Sequence, residues 1–139
     1  MKVTKYEDLK IGDDAEVVHT ITEEDIETFG KLSGDRNPVH FNEEWAKTTL
    51  FKSRIAHGIL TASYISTAIG MHLPGPGTIY LGQEMKFLRP VRIGDTITAR
   101  VEVTKKDDEK KRVTLKTTCT NQHGKVVLDG SATVTLMQM

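Results

Sequence analysis

The sequence GILTASYISTAIGMH spans residues 58–72 and has the apolar spacing of an α-helix. Its polar positions are few and small. A helix this apolar is usually buried over most of its surface. Proline and glycine residues in 73–77 end the pattern. The apolar side chains that we expect on the buried face are Ile59, Ala62, Ile65, Ile69 and Leu73.

The period of the sequence changes after this helix. Apolar and polar residues alternate over 79–87, 97–103, 113–119 and 126–136, and short polar turns separate these segments. An earlier segment, 14–21, has the composition of a first strand, and Gly82 predicts a β-bulge. Alternation of this kind predicts an antiparallel sheet with one buried face. The apolar helix is the natural cover for that face, so we predict an α+β fold.

A second helix is predicted after Thr22. Three acidic residues follow this threonine, as is typical of a helix N-terminus. Ile26, Phe29 and Leu32 give the helix an apolar face, and Gly34 ends it. A polar loop begins at once, so the chain leaves regular structure just where its chemically active residues are found.

The loop over 33–42 reads SGDRNPVHFN and is too rich in glycine, asparagine and proline to predict regular helix or strand. It holds Asp35 and His40, five positions apart. A carboxylate and an imidazole are well suited to share one water molecule and to move its protons near neutral pH. Taken alone, Asp35 could simply nucleate an Asx-turn, and His40 could be an ordinary loop histidine.

A second cluster over 54–61 reads RIAHGILT and leads a glycine into the start of the apolar helix. The free N–H groups of a helix start can hold a developing oxyanion. Gly58 is therefore a candidate donor, although a glycine here could also serve close packing. We expect His57 to be structural, packing or bonding to backbone.

Composition narrows the class of protein. The chain has 139 residues, with 19 basic and 19 acidic side chains, so its formal net charge is zero. This balance offers no basic field for nucleic acid. No window approaches the roughly 20 apolar residues of a membrane span, and the first residues lack the apolar stretch of a signal peptide. We expect one domain over 1–139, in a cytoplasmic protein that binds neither nucleic acid nor membrane.

Cysteine and histidine usage argues against disulfides and metal sites. Cys119 is the single cysteine, which excludes an intrachain disulfide. It alternates with polar residues in a strand pattern, so we expect a buried, inert thiol. The remaining histidines are scattered, and no spacing matches a zinc site.

Two motifs together resemble the MaoC-like (R)-specific enoyl-CoA hydratases: GDRNPVH over 34–40 and IAHG over 55–58. The segment MKFLRPV over 85–91 extends the resemblance, which runs through nearly the whole chain. It implies the hot-dog fold, a curled antiparallel β-sheet wrapped around a long central α-helix. It also implies a reaction, in which water adds across a 2-enoyl thioester of coenzyme A to give an (R)-3-hydroxyacyl thioester.

The resemblance also implies roles for individual residues. Asp35 and His40 would hold and activate the water, and the Gly58 N–H would donate to the thioester oxygen. Ser66 would support the pair, and it would contact substrate together with Asn42 and Arg54. A homodimer is implied as well. No metal or tightly bound cofactor is implied, because coenzyme A is part of the substrate.

Three other functions stay open at this point. A dehydratase acting on acyl carrier protein would use the same residues and differ mainly at the cavity mouth. A hot-dog thioesterase would usually place a carboxylate on the central helix, and 58–71 contains none. A non-catalytic acyl-CoA binding domain would not need Asp35 and His40 together. The pathway also stays open between storage-polymer supply, fatty-acid degradation and a biosynthetic dehydration.

Overall fold

The structure, a computed structural model, describes residues 2–138. The helices are α1 (Glu23–Ser33), α2 (Pro38–Phe41), α3 (Glu43–Ala46) and α4 (Gly58–Met71). The strands are β1 (Asp14–Thr20), β2 (Thr78–Phe87), β3 (Thr96–Asp107), β4 (Arg112–Thr120) and β5 (Val126–Leu136). A single 3₁₀ turn, Tyr6–Asp8, precedes β1 within the described residues. These bounds confirm the predicted apolar helix and all of the predicted strand segments.

The strands form one antiparallel sheet in the order β1-β3-β4-β5-β2. The register shifts between Tyr80 and Gly82, which confirms the predicted bulge. Helix α4 packs against β3, β1, β4 and β2, so the sheet curls around it. This is the α+β hot-dog fold that the resemblance implies.

The core lies between α4 and the three inner strands. The inward side chains of β3, β4 and β5 are almost fully buried, because they alternate with outward residues and lie under the helix. Burying each large aliphatic side chain contributes about 1.5–3 kcal/mol. The helix side of this core consists of Leu60, Thr61, Ile65, Ala68 and Ile69.

Cys119 is part of this core. Its side chain has no solvent exposure, and burial raises the pKa of the thiol to about 12. A protonated thiol is a poor nucleophile. The prediction of a buried, inert cysteine is therefore confirmed.

Predictions about buried faces are wrong at three places. Leu32 is 84% exposed, and Ile59 is 53% exposed, whereas Ile65, Ile69 and Leu73 of the predicted α4 face are buried. Apolar side chains of β2, among them Ile79, Leu81 and Phe87, are also exposed. The physical reason is position, because β2 lies at an edge of the sheet and α4 makes most of its contacts with β3 and β1.

The segment 33–42 is more regular than its composition predicts. Pro38 occupies the first turn of helix α2, where a missing N–H costs nothing. The Asn37 side chain accepts a hydrogen bond from the Val39 N–H at 3.2 Å and caps the helix. The prediction that this stretch forms no helix is therefore wrong for its second half.

Two glycines fix how the chain enters this segment. Gly34 has φ +81°, a left-handed conformation, and its N–H donates to the Gly30 carbonyl at 2.9 Å, which ends α1. A Cβ on Gly30 would collide with the Phe41 ring, so α1 and α2 can approach closely only at a glycine. No helix among residues 2–138 is long and apolar enough to cross a membrane.

Candidate active site

His40 is held on helix α2 by a bond to backbone. Its Nδ1 lies 2.8 Å from the Ile55 carbonyl. A carbonyl only accepts, so Nδ1 carries the proton and Nε2 keeps a lone pair. The Ile55 N–H in turn donates to the Val39 carbonyl at 3.1 Å. This pair of bonds joins α2 to the segment before α4 and fixes the ring as a proton acceptor.

Asp35 follows the left-handed turn at Gly34. Its Oδ1 accepts a hydrogen bond from the Asn37 N–H at 3.2 Å, and its side chain is exposed. Ligand-type atoms of Asp35, His40 and His57 all lie within 4.8 Å of one another. The structure therefore brings together the carboxylate and the imidazole that the sequence singled out.

His57 packs directly against His40. The two rings stack at 3.9 Å with an interplanar angle of 29°. His57 is 2% exposed, and its Nε2 donates to the Asp35 carbonyl at 2.9 Å. This confirms the expected structural role, because one side chain supports both members of the pair.

Burial sets the charge state of His40. Loss of solvent lowers the pKa of the imidazole below its ordinary value, and the neighbouring His57 lowers it further. The Ile55 carbonyl and the Asp35 carboxylate work in the opposite direction without reversing the shift. His40 is therefore neutral at neutral pH and able to accept a proton.

Asp35, His40 and His57 are also residue types that can bind a metal ion. Each imidazole donates one N–H to a backbone carbonyl, as metal-bound histidines often do. The lone pairs of the other nitrogens lie in the ring planes, however, and two nearly parallel stacked rings do not direct them at one ion. The stacked arrangement does not fit a metal ion shared by the three residues. The expectation from the sequence that the protein binds no metal stays a prediction.

Gly58 is the first residue of α4 and lines the same cavity as His40. The N-cap residue, His57, provides no side-chain cap. Among residues 2–138 the Gly58 N–H has no backbone acceptor, as expected at a helix start. A Cβ on Gly58 would lie 2.7 Å from Cε1 of Phe87. Packing therefore requires a glycine here, and the N–H stays available to a ligand.

The cavity has a volume of about 340 Å³ and a mostly apolar wall. Its polar contributors among the described residues are His40, Thr61, Arg89 and the exposed end of the α4 backbone. An apolar cavity with a few convergent polar groups is the usual form of a small-molecule site. The apolar lining residues are Phe51, Ile55, Ala56, Ile59, Phe87, Leu88, Pro90, Val91, Val127 and Leu128.

Asp35 adjoins His40 but is not among the residues that line this cavity, and neither are the residues predicted to contact substrate. Ser66 lines a separate cavity of about 210 Å³ with Phe29 and Tyr80. Within the described chain Ser66 makes no hydrogen bond to Asp35 or His40. The Asn42 side chain caps α3 by accepting from the Trp45 N–H at 3.0 Å. Among residues 2–138 neither side chain forms a hydrogen bond to Asp35 or His40.

Arg54 is 12% exposed, and its contacts are to protein. Its Nε donates to the His40 carbonyl at 2.7 Å, and its Nη1 donates to Glu23 Oε1 at 2.8 Å. The guanidinium thus links α2 to the start of α1. These contacts position His40, while Arg54 Nη2 is buried without a partner among residues 2–138, and the substrate contact of Arg54 stays a prediction.

Sequence reasoning missed two features of this site. One is the hydrogen bond from Arg54 to the His40 carbonyl. It forms because the chain before α4 returns to α2, and sequence periodicity does not predict that path. The other is Thr61, a small polar residue of the apolar helix, which lines the cavity. Its spacing of three residues from Gly58 places both on one side of a helix, and that signal was readable.

Comparisons with known proteins agree with this geometry. The MaoC like domain family matches residues 10–125. The chain is 57% identical over 129 residues to the (R)-specific enoyl-CoA hydratase of Rhodospirillum rubrum, covering 93% of this chain and 89% of that one. The unliganded R-hydratase PhaJ1 of Pseudomonas aeruginosa superposes with a TM-score of 0.91 at 47% identity, covering 99% of this chain and 88% of that one. A mitochondrial 3-hydroxyacyl-(acyl-carrier-protein) dehydratase of Arabidopsis thaliana is 36% identical over 131 residues, covering 92% of this chain and 78% of that one.

Proposed function

The chain belongs to the MaoC-like domain family, and on this premise we propose that Asp35 and His40 hold and activate its reacting water. It is an (R)-specific enoyl-CoA hydratase, which reversibly adds water across trans-2-enoyl-CoA to give (R)-3-hydroxyacyl-CoA. The observation that carries the assignment of roles is the neutral His40 lone pair beside the Asp35 carboxylate. Two acceptor atoms within 4.8 Å of each other suit the two hydrogens of one water molecule.

The chemical step needs a base and an acid on one face of the substrate. The water O–H bond breaks as the new C–O bond forms at the β-carbon, and the proton passes to the Asp35–His40 pair. The π electrons of the enoyl group move to the thioester oxygen and leave an enolate. The pair then returns a proton to the α-carbon, and the oxygen becomes a carbonyl again. Such acid–base help contributes about 10²–10⁴-fold to the rate, and the two groups titrate as a pair.

The Gly58 N–H is the proposed donor to the thioester oxygen. Negative charge on this oxygen grows during the attack, and the start of α4 carries a partial positive charge. A preorganised donor of this kind contributes about 10²–10³-fold. The support for this role is the shared cavity of Gly58 and His40 and the free helix N-terminus. No resident cofactor or metal takes part in the proposed step.

The proposed assembly is a homodimer joined along β2. This strand is ten residues long, lies at an edge of the sheet and carries several exposed apolar side chains. An unpaired, apolar edge strand is a template for pairing with another chain. The test is the molar mass in solution by light scattering. The wild type should have the mass of a dimer, and Tyr80→Lys and Leu81→Lys on the edge strand should halve it. A wild type with the mass of a monomer would contradict the proposal.

A dehydratase acting on an acyl carrier protein is the second candidate, because the Arabidopsis thaliana relative carries that name. The same residues would run the reverse reaction on a protein-bound substrate. The zero net charge gives no general attraction for an acidic carrier. The two substrates are distinguished by comparing kcat/KM for the same acyl group on coenzyme A and on carrier protein.

The test of the function is the loss of enoyl absorbance when the protein meets crotonyl-CoA, with free thiol followed in the same cuvette. Enoyl loss without thiol release, giving the (R)-3-hydroxy product, is the expected result. Thiol release would instead indicate a thioesterase. Loss of neither signal, with carrier-protein substrates included, would favour a non-catalytic binding domain.

A further inference from the structure

Thr61 has an unusual hydroxyl. The residue is 2% exposed, and its Oγ1 has no hydrogen-bond partner among residues 2–138. A buried hydroxyl without a partner costs about 1–3 kcal/mol, so each such group calls for an explanation. Buried unpartnered polar side-chain atoms are found at three described residues, Arg54, His57 and Thr61. Of these three, Thr61 is the one that lines the cavity containing His40 and Gly58.

Two other hydroxyls on α4 behave differently. The Ser63 Oγ donates to the Leu60 carbonyl at 2.6 Å, and the Thr67 Oγ1 donates to the Ser63 carbonyl at 3.3 Å. These are the ordinary backbone contacts of serine and threonine inside a helix. The Thr61 hydroxyl does not make such a contact within the described chain, so its proton has no acceptor there.

Helix geometry directs the Thr61 side chain toward the start of α4. Thr61 follows Gly58 by three residues, and residues at this spacing lie on one side of a helix. The Cα–Cβ bond of a helical residue tilts toward the N-terminus, so the side chain covers the preceding turn. For Thr61 that preceding turn contains the free Gly58 N–H.

We propose that the Thr61 hydroxyl is a second oxyanion donor, which binds the thioester oxygen together with the Gly58 N–H. This inference rests on the proposed function, because it assigns a role in the same reaction. The oxygen gains charge as water attacks the β-carbon, and a hydrogen bond from a buried donor then strengthens most. The hydroxyl forms no covalent bond and transfers no proton.

The matched variants are Thr61→Val and Thr61→Ser. Valine keeps the shape and removes the hydroxyl, and serine keeps the hydroxyl. We expect Thr61→Val to lower kcat on crotonyl-CoA by about 10²-fold, the effect of losing one oxyanion donor, with KM little changed. Thr61→Ser should recover most of that rate. Thermal unfolding should show both variants folded, because Thr61→Val removes an unpartnered buried hydroxyl and Thr61→Ser removes a single methyl group.

Thr117→Val is the control for removing a buried threonine hydroxyl. Thr117 is also fully buried, but its hydroxyl accepts from the Gln83 side chain at 2.9 Å and does not line the cavity. We expect this variant to keep the wild-type kcat even if its stability falls. A fall in kcat equal to that of Thr61→Val would assign the effect to packing and overturn the inference.

Asp35→Asn separates the inference from the function on which it rests. Suppose that the wild type hydrates the substrate, that Asp35→Asn abolishes the activity and that Thr61→Val keeps the wild-type rate. This result would overturn the second donor and leave the proposed function standing. A Thr61→Val defect that serine does not rescue would also overturn the second donor. A wild-type protein without hydration of any enoyl thioester would overturn both proposals together.

Discussion

The inner strands and the segment 33–57 are held by different forces. Residues facing α4 from β3, β4 and β5 are apolar and almost fully buried. Segment 33–57 contributes few residues to the core, and its reacting groups are placed by a few hydrogen bonds and by the stacking of His40 on His57. Those bonds join His40 to Ile55, His57 to Asp35 and Arg54 to His40.

This difference separates stability from activity. Hydrophobic burial is non-directional and spread over many side chains, so losing one of them weakens the fold without redirecting another. A hydrogen bond fixes direction, so losing one alters where a reacting atom lies. Substitutions in the sheet should therefore change unfolding, and substitutions in 33–57 should change rate.

The largest expected effect is that of Asp35→Asn on rate. The variant keeps the side-chain oxygen that accepts from the Asn37 N–H, and it loses the proton acceptor. We expect kcat to fall by at least about 10²-fold while thermal unfolding is unchanged. The measurement is the initial rate of crotonyl-CoA hydration. A wild-type rate would remove Asp35 from the proposed pair.

Leu115→Ala probes the opposite region. Leu115 is fully buried on β4, and truncating a buried leucine costs about 2–5 kcal/mol of the free energy of unfolding. Urea unfolding followed by circular dichroism measures this loss. The control is Val18→Ala on the exposed side of β1, expected within about 0.5 kcal/mol of wild type. If Leu115→Ala lowered kcat of the folded protein as strongly as stability, the separation of the two regions would fail.

Arg54→Lys tests the link between α1 and α2. A lysine ammonium cannot reproduce the two separate contacts that the guanidinium makes to the His40 carbonyl and to Glu23. We expect kcat to fall roughly tenfold, within the 10²-fold range of a small misplacement, with KM little changed. Arg100→Lys, in a surface ion pair with Asp14, is the matched control and should keep the wild-type rate. A change in KM alone would return Arg54 to substrate binding.

The smallest expected effect is a shift of the pH profile. The lowered pKa of His40 keeps the ring neutral at neutral pH, so kcat/KM should fall only as pH drops through that value. Because the folded pKa lies below the unfolded one, His40 contributes stability above about pH 6.5 that is lost as pH falls through the folded pKa. His57→Asn removes a group that lowers this pKa and should move the acid limb to higher pH. His123→Asn, in an exposed turn, should not move it.

Periodicity was sufficient for the helix and the strands, because burial of one face imposes a repeat on the sequence. It could not locate the edge of the sheet. Ile79 and Leu81 alternate as regularly as residues of β3, and strand order alone leaves them exposed. The short helix at Pro38 was missed because its cap and proline signals were outweighed by loop composition.

The candidate site was predictable in part. Asp35, His40 and Gly58 carry types and spacings that suit the chemistry, and the structure brings Asp35 together with His40, and His40 together with Gly58. Ser66, Asn42 and Arg54 were assigned by resemblance, and their substrate contacts stay predictions; of the three, Arg54 donates to the His40 carbonyl. The unpartnered state of Thr61 could not be read from sequence, since it depends on which neighbours fail to reach its hydroxyl.

The buried Cys119 makes the protein its own reporter of core opening. A thiol reagent cannot reach this side chain in the folded state, so the free-thiol signal of the crotonyl-CoA assay comes from coenzyme A alone. The rate at which the reagent labels Cys119 then measures how often β4 separates from α4. If a variant has lost activity but its Cys119 is labelled at the wild-type rate, a reacting group has been displaced. If labelling is faster, the core of that variant opens more often.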